Sequence, residues 1–232
     1  EKLYGRGSCD MKGFLACLLA YAPIFSNSNM DRDLHFSFTF DEETACQGAP
    51  LLIKELKKRN IKDAICVVGE PTNMKIIDAH KGAYEYTTYF EGLAGHSSQP
   101  QKGVSAVEYA SRYVNKLIEL RGKLKERAPK DSIFEPPYST LQVGGIFGGI
   151  AHNVIADKCH VNWETRPVVK EDGIFLNKEL DKYVNEVLLP EMKKIYPNSS
   201  IKKKIIGEII GFERIENSEA CEFVSSITGD NS

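Results

Sequence analysis

The sequence predicts an α/β protein with a mostly parallel sheet, into which an α+β unit of ferredoxin-like order is inserted. Two observations carry this. Over residues 1–77, apolar helical stretches alternate with short strand-like runs, as in βαβ units that build a parallel sheet. From about 78 to 208 the order becomes β-α-β-β-α-β, and residues 209–232 then return to the first domain.

Residues 11–22 form an apolar helical stretch that Pro23 should end. Leu34, Phe36, Phe38 and Phe40 alternate with His35, Ser37 and Thr39, the period of a strand. A helix is expected from about Ala49, with Pro50 in its first turn and Lys57, Lys58 and Arg59 at its basic end. Residues 64–68 are wholly apolar, which suits a strand buried on both faces. In the inserted unit, residues 84–90 alternate as a strand, and 103–120 carry Val107, Ala110, Val114, Leu117 and Ile118 at helical spacing. Residues 141–146 and 158–164 read as strands, 176–188 as an amphipathic helix and 201–206 as the closing strand.

The 232 residues are 42% hydrophobic and 27% charged, enough to bury a core. With 30 basic and 32 acidic residues the net charge is -2, so there is no broad basic field for nucleic acid or an anionic membrane. The one basic run, Lys202-Lys203-Lys204, reads as a solvated strand or turn. Six cysteines without a Cys-x-x-Cys pair point to reduced thiols in the cytoplasm. No apolar run approaches the ~20 residues that span a bilayer, and no secretory signal opens the chain. Residues 1–4 read as the middle of a strand, so the chain is expected to be cut at both ends.

The chemistry sits in acids. Asp10 follows a glycine-rich turn, Asp41-Glu42-Glu43 follows the first alternating run, and Glu70 follows the apolar run. Alone, each has a structural alternative: Asp10 or the acidic triplet as a helix cap, Glu70 as a solvated loop acid. Together they fit a hydrolytic metal site, because strand ends of an open sheet converge on one crevice. Of two adjacent acids, one can bind metal while its neighbour carries protons.

Gly5-Arg-Gly-Ser-Cys-Asp-Met-Lys-Gly13, Asp41-Glu42-Glu43, Gly69-Glu70-Pro71-Thr72, Gly95-His96-Ser97-Ser98 and Gly148-Gly149-Ile-Ala-His-Asn153 resemble, in that order, the zinc aminoacylase/carboxypeptidase family of dinuclear metallohydrolases. Ala79-His80-Lys81-Gly82, Pro137-Tyr-Ser-Thr140 and Ile210-Gly-Phe-Glu213 favour its acetylornithine deacetylase branch. The resemblance implies a catalytic α/β domain with a ferredoxin-like lid that also forms a homodimer. It implies two zinc ions, with cobalt as the alternative, and a small N-acyl amino acid as substrate. Asp10 would bridge the metals, Glu43 and Glu70 would each bind one, and Glu42 would be the general base. His96 would stabilise the oxyanion in the partner's site, while Asn153 and Arg166 would hold the substrate's oxygens and carboxylate. Outside that context His96 reads as a loop histidine, Asn153 as a turn residue and Arg166 as an ion-pair partner.

The family's upstream His-x-Asp motif and its late histidine do not occur in these 232 residues. Each metal would lack one histidine, so weak metal binding and at most marginal activity are expected of this chain. Three rivals follow: succinyl-diaminopimelate desuccinylase or another aminoacylase or peptidase of the family, a non-catalytic dimerisation module, and a generic α/β binding domain. His80-Lys81-Gly82-Ala83 stands where the desuccinylase would carry Arg-Arg-Gly-Ser.

Overall fold

The computed structural model describes residues 2–44, 46–62 and 64–229 and divides the chain into two compact units. One comprises Glu1–Asp78 with Arg214–Ser232, the other Ala79–Glu213.

The first unit is helical among its described residues. α1 (Lys12–Ser26) and α2 (Gly48–Lys58) are separated by a single 3-10 turn at Glu42–Thr44. Pro23 lies inside α1 and does not end it at residue 22. It falls in the last turn, where its carbonyl accepts hydrogen bonds from the Ser26 hydroxyl and the Asn27 side-chain amide. The strands expected at 34–40 and 64–68 are absent, and with them the mostly parallel sheet. Alternation assigns side chains to faces, but an extended segment becomes a strand only through a ladder with a neighbour. No such neighbour pairs with these segments among the described residues, and Phe40 and Val68 stay 56% and 73% exposed.

The second unit holds the core. It contains β1 (Ala83–Glu91), β2 (Gly95–His96), α3 (Ala106–Glu126), β3 (Thr140–Gly148), β4 (Val154–Ile155) and β5 (Lys158–Arg166). It continues through α4 (Lys170–Tyr183), α5 (Leu189–Ile195) and β6 (Ser200–Ile209). The long strands form one antiparallel sheet in the order β3-β5-β1-β6, and β2 pairs with β4 in a sheet of their own. Each helical crossover skips a strand, which is the ferredoxin-like arrangement. α6 (Glu219–Thr228) follows in the first unit.

α3 forms because Ser105 caps it, its hydroxyl accepting the Glu108 amide at 3.3 Å, and because one stripe is apolar. That stripe is Ala106, Ala110, Tyr113, Leu117, Leu120 and Leu124, all buried against the sheet, whereas Ile118 points outward. Tyr86 stacks on Trp163 at 4.3 Å between ring centres. The buried hydroxyls are satisfied locally: Thr88 donates to the Tyr113 oxygen at 3.2 Å and accepts from the Trp163 indole at 3.0 Å. Between α4 and α5 the helix widens to a π turn at Val184–Leu188. Pro190, at the start of α5, has no N–H for the regular ladder, and a local π turn absorbs such a defect.

Candidate active site

The acids of the first unit cap nothing. α1 begins after Met11 and α2 after Gln47, each without a side-chain cap, so neither Asp10 nor the acidic triplet serves as an N-cap. The turn before Asp10 needs glycine at position 7, where φ is +80° and the Lys12 amide returns to the Gly7 carbonyl at 2.9 Å. Gly48 is fixed by contact: a Cβ there would lie 2.6 Å from the Phe40 nitrogen. At Gly69 a Cβ would strike the Phe14 ring and the Met11 methyl, so the turn bearing Glu70 lies against the start of α1. That contact brings the acids into one neighbourhood.

Glu70 registers the others electrically. Partial burial, and then the negative charges of Asp10, Glu42 and Glu43, push its carboxyl above the usual carboxylate range. The folded chain therefore holds this proton more tightly than the unfolded chain. The stabilisation it brings is complete at low pH and is lost as pH rises through the raised Glu70 titration. Asp10→Asn should lower that titration midpoint, since one repelling charge is gone. Carbon-13 NMR of the Glu70 carboxyl would show it, and an unmoved midpoint would separate Asp10 from the cluster. The Cys46 thiol, 3.8 Å from a Glu42 carboxylate oxygen, is likewise raised, by burial first and Glu42 second.

The metal expectation meets a different geometry. Glu43 is held by the Arg6 guanidinium at 2.6 Å. Among the described residues, no three His, Cys, Asp or Glu side chains are placed to hold a metal ion. Zinc takes about four donors, imidazole prominent among them. As arranged, these carboxylates do not fit a zinc pair.

In the second unit, two residue-long strands do what the long ones cannot. Gly95 pairs with Ile155 and His96 with Val154, and the Ser97 amide donates to the Asn153 carbonyl at 3.0 Å. His96 and Asn153, far apart in sequence, thus lie side by side and exposed. Gly149, at φ +79°, turns the chain into this pairing, and Gly148 lies too close to the Lys158 carbonyl for a Cβ. The His96 Nδ1 is 2.8 Å from the Ser98 hydroxyl and accepts the Ser98 amide at 3.2 Å.

Arg166 lies elsewhere. It ends β5, opposite Thr140, and is paired with Glu164 at 2.8 Å. Lys158, at the other end of β5, is opposite Glu91, next to the segment that carries His96. Nine residues of strand at roughly 3.3 Å each put the two ends about 26 Å apart. Ser98, Glu164 and Arg6 are the partners that sequence reading left without a role. Only Ser98 carried a signal, a hydroxyl two residues after the histidine. His80 is structural: its backbone bridges Phe212, and its ring stacks on the Phe212 ring at 6.2 Å.

Residues 78–192 match the model of the M20 peptidase dimerisation domain. The match runs from the start of the second unit into α5 and leaves β6 outside it. The chain is also similar to a tripeptidase from Staphylococcus aureus, at 19% identity and a TM-score of 0.64, over 97% of this chain and 56% of that one. It resembles an amidase of the hydantoinase/carbamoylase family from Burkholderia vietnamiensis, at 17% identity and a TM-score of 0.50, over 67% of this chain and 33% of that one. At these identities the likeness is one of fold, and the chain spans less than two thirds of either structure. Among the described residues, no helix is long and apolar enough to cross a membrane, and all six cysteines are free thiols.

Proposed function

We propose that this chain belongs to a cytoplasmic, homodimeric amide hydrolase that removes the acyl group from an N-acyl amino acid. N-acetyl-L-ornithine, cleaved to L-ornithine and acetate in arginine biosynthesis, is the preferred substrate. The flanking segments 1–77 and 209–232 would form the catalytic part and 78–208 the lid. The observation that supports this is the His96–Val154 pairing, which sets His96 beside Asn153 about a strand's length from Arg166, in a stretch that matches a peptidase dimerisation domain. An N-acyl amino acid is shorter than that separation. One site therefore cannot use all three residues of a single chain, whereas a two-fold dimer can supply His96 and Asn153 from the partner and Arg166 from its own chain.

The chemistry then divides simply. Glu42 takes a proton from the attacking water as its oxygen bonds to the amide carbon. The partner's His96 donates to the oxyanion, and the partner's Asn153 holds the adjacent oxygen. When the C–N bond breaks, the proton on Glu42 passes to the leaving amine, giving a carboxylate and a free amine. Arg166 would exchange Glu164 for the substrate's carboxylate, whose two oxygens suit its planar fork. Desuccinylation and other aminoacylase or peptidase activities use the same residues, so comparing N-acetylornithine with N-succinyl-diaminopimelate and short peptides tests the substrate directly.

A non-catalytic dimerisation module is the second reading, favoured by the absence of a three-ligand group among the described residues. Metal titration separates the two. Tight uptake of two zinc ions per chain would end the module reading, whereas failure to release the acyl group from any N-acyl amino acid would end the hydrolase.

The sheet has two edges for dimerisation, and their chemistry differs. β6 carries Lys202, Lys203 and Lys204, and lysine blunts an edge against pairing. β3 has no charged residue and exposes Ile146 and Phe147. Pairing through β3 predicts that Ile146→Lys raises the dimer dissociation constant, read by sedimentation, while Lys204→Glu leaves it unchanged. The reverse pattern would move the interface to β6.

A further inference from the structure

We propose that Ser98 is a positioning residue that sets the tautomer of His96, so that the neutral ring carries its proton on Nε2 and presents it outward as a donor. This rests on the hydrolase reading for its purpose but not for its geometry. A backbone amide can only donate, and the Ser98 N–H points at the His96 Nδ1 from 3.2 Å. Nδ1 must therefore offer its lone pair, and the proton of a neutral imidazole must sit on Nε2. The Ser98 hydroxyl, 2.8 Å from the same nitrogen, is placed to donate a second hydrogen bond to it.

The amide is aimed by its surroundings. The Gln99 amide returns to the His96 carbonyl at 3.0 Å, closing a four-residue turn. The backbone on either side of His96 is held by the Val154 pairing and by the Ser97 amide on the Asn153 carbonyl. Ring, turn and short strands are joined by these bonds, and His96 is exposed. A ring of the opposite tautomer would turn a lone pair toward the oxyanion and repel it. The motif thus supplies a donor whose polarity is fixed before substrate arrives, which is what oxyanion stabilisation requires.

Long-range proton–nitrogen NMR reads the tautomer without turnover. The five histidines are told apart by the signal lost in His96→Gln. At a pH where the ring is neutral, His96 should show an unprotonated-type Nδ1 and a protonated-type Nε2, widely separated. Ser98→Ala, which keeps the amide and loses the hydroxyl, should narrow the separation, and Ser98→Thr should restore it. A protonated-type Nδ1 overturns the assignment whatever the enzyme does, and no narrowing in Ser98→Ala overturns the role given to the Ser98 side chain, since the amide remains. In active protein, Ser98→Ala should lower kcat about tenfold with KM little changed, short of the ~10⁴ seen when a catalytic histidine is forced wholly into the wrong tautomer. A narrowed separation with unchanged kcat would leave the tautomer standing and remove its catalytic role.

Discussion

Mixing two inactive proteins, His96→Ala and Glu42→Ala, should restore about a quarter of the unmutated activity, the fraction set by random pairing in a closed two-fold dimer. Each variant alone should be nearly dead for its own reason. Without Glu42 nothing takes the proton from water. Without His96 the oxyanion loses a donor, which costs roughly 10²–10³ in kcat. If each site combines Glu42 of one chain with the partner's His96, a mixed dimer has one site with both residues and one with neither. Half the dimers are mixed at equal stoichiometry, and half their sites are intact. The measurement is turnover of N-acetylornithine, after subunit exchange is verified with two affinity tags. A mixture as inactive as its parents would confine His96 to its own chain or remove it from catalysis. Metal content unchanged in His96→Ala would show that the loss is not one of cofactor.

The sequence made the second unit readable because its long elements repeat a period many times. β5 alternates over nine residues, and α3 returns an apolar residue to one face over more than five turns. Tyr113 escaped that reading. Its hydroxyl marks it as amphipathic, and only the Thr88 hydrogen bond and the Phe90 and Trp163 rings show why it is fully buried. β2 and β4 could not be read at all: two residues have no period, and their pairing joins positions 95–96 to 154–155. The acids were readable as motifs but not as a geometry. Whether Glu43 faces a metal or the Arg6 guanidinium depends on which of two distant segments lies beside it, which no local pattern records. The strands expected at 34–40 and 64–68 failed for a related reason, since periodicity describes a segment and a strand is a property of two.

Arg127→Ala should destabilise the second unit by about 3–5 kcal/mol, the usual cost of orphaning one member of a buried ion pair. Asp172 is 1% exposed, in the first turn of α4. Its carboxylate accepts from the Arg127 Nε at 2.7 Å and from the Ser139 hydroxyl at 2.5 Å. Ser139 in turn accepts the Val168 amide at 2.8 Å, and the Arg127 guanidinium lies 4.5 Å from the centre of the Phe175 ring. One carboxylate thus ties the end of α3, the segment entering β3 and the start of α4. The two sides of the pair are unequal. The Arg127 side chain is 39% exposed and can turn to water if Asp172 is replaced, whereas the buried carboxylate has no such recourse if Arg127 is removed. Asp172→Asn, which keeps one oxygen for Arg127 and turns its NH2 toward the Ser139 oxygen, should therefore cost only about 1–2 kcal/mol. Arg127→Lys should fall between them, since an ammonium keeps the charge but loses the planar fork and the stacking on Phe175. Urea unfolding followed by tryptophan fluorescence, with Trp163 as the reporter inside this core, gives the three values. Equal small losses for Arg127→Ala and Asp172→Asn would mean that water already reaches the carboxylate, and that packing alone holds these three segments together.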